Sequence, residues 1–94
     1  MRNDINKMTL GDVMQTDIFT AKLDKQKTKF KGIKELKPVC RELCDLDNET
    51  IKQLYEEVRK GTCESLTAVQ RGFVLALTDR ALKQAIKELK DNTK

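Results

Sequence analysis

Apolar side chains recur at steps of three and four residues through most of this chain, and any fold must satisfy that period. Ile51, Leu54, Tyr55 and Val58 share one helical face. Asp47 and Asn48 are suited to cap that helix, and Gly61 to stop it. A longer pattern begins behind Ser65 or Thr67, with Leu66, Val69, Phe73, Ala76 and Leu77 on one face. Beyond Thr78 the stripe moves to Leu82, Ala85, Ile86 and Leu89, well over 100° around the helix at about 100° per residue. Two outcomes fit: a break with Thr78 capping a new helix, or one continuous helix that buries opposite sides at its two ends.

Upstream, Thr9 precedes Leu10, Val13, Met14, Ile18 and Ala21, which predicts a helix over 10–22. Pro38 suits the first turn of another helix, where its missing N–H costs nothing. Val39, Leu43 and Leu46 form that helix's stripe, flanked by Cys40 and Cys44. Aromatic rings are few, only Phe19, Phe30, Phe73 and Tyr55, with no Trp. A core built mainly on Leu, Ile and Val suits packed helices. With 94 residues, the chain makes one domain. The fold expected is all-α: a single compact domain of four to five short helices, frayed over 1–8 and 91–94.

The segment from Lys22 to Lys37, KLDKQKTKFKGIKELK, conflicts with that pattern. It holds seven lysines in sixteen residues against Asp24 and Glu35, a local charge of +5 in a chain of net +4. Lys25, Lys27, Lys29 and Lys31 recur every second residue, a strand period. Phe30, Ile33 and Leu36 recur every third, as in a short helix. The conflict predicts an exposed basic connector over 24–31 and a helical turn at 32–37. A field of one sign attracts phosphate or an acidic protein surface, so Lys25, Lys27, Lys29, Lys31, Lys34 and Lys37 are the candidate partner- or phosphate-binding residues. The segment holds no Arg, the usual reader of guanine edges, and only Phe30 as a stacking ring. Nucleic-acid binding through it would be directed at the backbone.

Several chemistries are disfavoured. No His is present, so the chain lacks the commonest general base near neutral pH and the commonest metal ligand. Cys40, Cys44 and Cys63 are an odd number and one ligand short of a tetrahedral zinc site. Buried reduced thiols are expected instead, which places the protein in the cytoplasm. Asp45, Asp47, Glu49 and Glu56 have the spacing of a calcium loop, yet Thr50 stands where that loop needs Gly. No metal and no cofactor is expected. No apolar run is long enough to cross a membrane, and MRNDINKMTL lacks the apolar stretch of a secretory leader.

Leu75, Leu82 and Leu89 fall seven residues apart with Ile86 nearby, about two heptads. Core packing accounts for them; the alternative is a helix face for a partner or for a homodimer. From Asn48 onward, ETIKQLYEEV, SLTAVQ and LALTDRALKQAI are similar to the Hha/YmoA family of small helical nucleoid-associated modulators, through Leu66, Thr67, Gln70 and Asp79. That resemblance covers about half the chain, and the basic N-terminal third has no counterpart in it. It implies modulation of transcription by binding a nucleoid protein.

The function expected is non-enzymatic: a regulatory or adaptor protein that attracts an acidic protein surface through the lysines and anchors it on the Leu82–Ile86–Leu89 face. The alternative is nucleic-acid binding of weak sequence specificity.

Overall fold

The computed structural model describes residues 9–92, and within them the chain is all-helical. The expected fraying of 1–8 and 93–94 lies outside the described residues. Five helices follow in order: α1 (Leu10–Met14), α2 (Asp17–Lys31), α3 (Pro38–Leu43), α4 (Asn48–Lys60) and α5 (Ala68–Asn92). Residues 91 and 92 are the last two of α5.

Local chemistry sets most boundaries. Thr9 caps α1 in a reciprocal box: the Asp12 N–H donates to Thr9 Oγ1 at 3.1 Å, and the Thr9 N–H donates to Asp12 Oδ2 at 3.0 Å. The helix expected over 10–22 is divided, because Thr16 starts a second one. Its hydroxyl accepts from the Phe19 N–H at 3.1 Å, and its backbone lies in the extended region. Pro38 occupies the first turn of α3. The buried stripe there is Cys40, Leu43 and Cys44, and Val39 is left exposed. Gly61 closes α4 with φ 77°, and the Thr62 N–H reaches back to the Glu57 carbonyl at 3.0 Å. Only Gly takes that left-handed conformation without strain. Thr67 and Gln70 form the reciprocal box that opens α5.

The basic segment is not a connector over 24–31; it is the second half of α2. Lys and Gln are good helix formers, and Lys29 and Lys31 in the last turn lie where the helix dipole favours cations. The buried face of α2 is Phe19, Leu23 and Gln26, continued by half-buried Phe30 at helical steps. A polar residue at its third position hides this stripe from a reading of hydrophobicity. The segment 32–37 makes turns, with Ile33 exposed.

Helix α5 runs unbroken through Thr78. Thr78 and Ala81 are fully buried and join the two apolar stripes into one that drifts around the helix. The drift is absorbed within the chain because α5 packs against each of the other four helices. Phe73, Val74, Leu77, Ala81, Leu82 and Ala85 form the centre of the core, met by Phe19 and Leu23 from α2 and by Ile51 and Tyr55 from α4. No helix among the described residues is long and apolar enough to cross a membrane.

Candidate functional site

A helix deals the alternating lysines of α2 onto two faces. Residues two apart diverge by about 200°, whereas residues four apart nearly superpose. Lys27 and Lys31 therefore fall on one side with Asp24, and Lys25 and Lys29 on another with Lys22. The two sides meet different chemistry.

Lys27, Lys31 and Asp24 face the link between α3 and α4. Lys27 Nζ donates to the Leu46 carbonyl at 2.6 Å and to Asn48 Oδ1 at 3.0 Å. Asn48 Nδ2 in turn donates to Asp24 Oδ1 at 3.0 Å. Lys31 pairs with Asp45 at 2.6 Å, and that hydrogen bond is the main cause holding its ammonium above the ordinary lysine range. These contacts clamp the α3–α4 link onto α2, so this half of the basic segment is occupied by the fold.

Lys22, Lys25 and Lys29 lie where α2 packs on α5. The helices are antiparallel: Lys22 pairs with Glu88 at 2.8 Å, and Phe30 meets Phe73 edge-on at 5.2 Å between ring centres. Lys22, Lys25, Gln84, Lys87, Glu88 and Asp91 line an open groove of about 290 Å³ between them. Arg80, Lys83 and Lys87 follow at helical steps along the adjoining exposed face of α5. The Arg80 guanidinium lies 5.7 Å from the centre of the Phe30 ring. Lys25, Lys29, Lys83 and Lys87 are all exposed and have no partner among the described residues. Like charges four apart repel on a helix, so Lys25 with Lys29 and Lys83 with Lys87 add no stability of their own. Reading the sequence missed Arg80, Lys83 and Lys87; their spacing of three and four was visible, but not that α2 would pack beside them.

The remaining candidates fall elsewhere. Lys34 and Lys37 are exposed on the turn between α2 and α3. Leu82 is 4% exposed, in the core, and Leu75, Ile86 and Leu89 are half-buried and packed against it. Asp45 pairs with Lys31, Asp47 accepts from Thr50 and Glu49 pairs with Lys52, so three of the four acids of the calcium-like run are engaged within the fold. No cluster of three potential metal ligands occurs among the described residues.

A part-buried polar contact joins α4 to α5. The Tyr55 hydroxyl donates to Asp79 and accepts from Arg59 Nη1 at 3.2 Å. Tyr55 also lines an open cleft of about 580 Å³ with Leu10, Met14 and Arg59, but its hydroxyl is already engaged. Burial, then the bond to Asp79, holds the phenol above its ordinary value of 10.0. Burial, then the Asp45 charge, likewise pushes the Cys44 thiol above its ordinary 9.0. Both groups keep their protons more tightly when folded, so their contribution is present at neutral pH and is lost as pH rises through those ordinary values. The urea midpoint is therefore expected to fall from about pH 9 upward, and Tyr55→Phe to flatten the part above about pH 10. A flat alkaline profile in the parent protein contradicts this assignment.

The described residues form an all-α fold in which α2 and α5 together carry an exposed, mainly cationic ridge. Comparison with protein-family models, with curated proteins and with solved structures finds no match, and the likeness to the Hha/YmoA family gains no support from it.

Proposed function

We propose that this chain is a non-enzymatic binding protein that holds the phosphate backbone of nucleic acid on the α2–α5 ridge. The observation that carries the reading is the exposed set Lys25, Lys29, Lys83 and Lys87, which have no partner among the described residues: Lys25 and Lys87 line one groove beside Glu88 and Asp91, and Lys29 and Lys83 stand four residues from them on the same two helices. Protein-binding surfaces draw their affinity from apolar and aromatic anchors at the centre of the patch. This ridge has none: the large exposed hydrophobics Leu10, Ile33, Val39 and Val69 are not among the residues lining its groove. Leu82, which would have anchored a partner helix, packs inside the chain. What remains is charge, and charge alone suits a polyanion. Three free thiols, all buried, fit a reducing compartment such as the cytoplasm.

A second reading, an acidic protein surface, draws on the turn between α2 and α3. Ile33 on that turn and Val39 in the first turn of α3 are each 39% exposed, close in sequence to Lys34 and Lys37.

Fluorescence anisotropy with a short duplex of random sequence tests the proposal. Roughly four phosphate contacts predict binding at ~50 mM salt and a slope near −4 in log affinity against log salt. Affinity then falls by a few hundredfold, order of magnitude, between ~50 and ~200 mM. Absence of binding at the lower salt overturns the reading.

A further inference from the structure

We infer that the nucleic acid is double-helical, gripped along its backbone without recognition of its bases, an inference that rests on the α2–α5 reading above. Binding of single strands depends on aromatic rings that stack with splayed bases. Three of the four rings of this chain are in its core, and the fourth is half-buried and engaged. Phe19 and Tyr55 are 0% and 2% exposed, and Phe73 is buried. Phe30, the ring nearest the ridge, is packed edge-on against Phe73 and covered by Arg80.

The cations themselves point the same way. Arg reads base edges through its bidentate fork, whereas Lys acts as a point charge. Arg80 is turned onto Phe30, which leaves Lys25, Lys29, Lys83 and Lys87 as the free donors. They stand on two helices packed antiparallel, with successive members four residues and about 6 Å apart along each axis. Without stacking rings, such a set holds nucleic acid through charge alone. Its affinity follows the charge density it meets, which is about one charge per 1.7 Å in a duplex and about half that in one strand.

Anisotropy titrations at ~50 mM salt would compare duplex DNA, duplex RNA and a separated strand of each at equal nucleotide concentration. Counterion release of about 0.9 per contact on a duplex against about 0.7 on a strand predicts duplexes binding roughly tenfold tighter, with DNA and RNA duplexes alike. The double variant Lys83→Met/Lys87→Met is expected to lose about a hundredfold in duplex affinity, with unchanged far-UV circular dichroism. Strands that bind as tightly as duplexes overturn this inference and leave the backbone reading standing. Failure of every nucleic acid to bind overturns that reading as well. Displacement of duplex by polyglutamate at equal charge concentration also overturns both, and assigns the ridge to an acidic protein.

Discussion

Leu82→Asp unfolds the protein. Leu82 is 4% exposed and packs in the core around α5. A carboxylate there would be buried among the apolar side chains of the core, and a buried charge without a partner costs several kcal/mol even after the structure relaxes. Small domains are stable by only about 5–15 kcal/mol, so the substitution takes most or all of that margin. The expected result is loss of the cooperative thermal transition in far-UV circular dichroism. Ile86→Asp, on a half-buried position, is expected to lower the midpoint and keep the transition, at a cost of about 2 kcal/mol. Two variants that fold like the parent would contradict the packing of α5 and return its leucines to a partner face.

That contrast also shows what the amino-acid pattern could and could not carry. The all-α class was legible, because Ile51 to Val58 and Leu66 to Leu89 keep the helical period over long runs. Caps were legible where the chemistry is local: Thr9, Pro38, Gly61 and Thr67 each act within three or four residues of themselves. The fate of α5 at Thr78 was not. Continuity there depends on a buried threonine and a small Ala81, which carry little hydrophobic signal, and on four helices surrounding α5 from different sides.

The lysine segment failed for a related reason. Gln26 is 2% exposed in the position where an apolar residue would have announced α2. Without it, the period of two in Lys25, Lys27, Lys29 and Lys31 read as an extended chain. On a helix the same spacing separates the lysines into two pairs. One pair faces Asp45, Leu46 and Asn48 and holds the fold. The other faces solvent beside Lys87. Half of the candidate site was therefore legible as residues, but its division and its α5 half depend on tertiary packing.

This division is the centre of the account, and two double variants of equal charge change test it side by side. Lys25→Met/Lys29→Met removes two unpaired ridge cations. It is expected to weaken duplex binding by about a hundredfold at ~50 mM salt and to leave the thermal midpoint within about 2 °C of the parent, since exposed, unpaired positions carry little stability. Lys27→Met/Lys31→Met removes the clamp on the α3–α4 link. The two hydrogen bonds of Lys27 alone are worth about 1–2 kcal/mol, or roughly 4–16 °C in a domain of this size. Its duplex affinity is expected to stay within about threefold, since only distant, screened charge is lost. Anisotropy and thermal unfolding of the two variants under one buffer give the decisive comparison. The expected result is binding lost in the first and stability lost in the second. Binding lost in the second and kept in the first would contradict it.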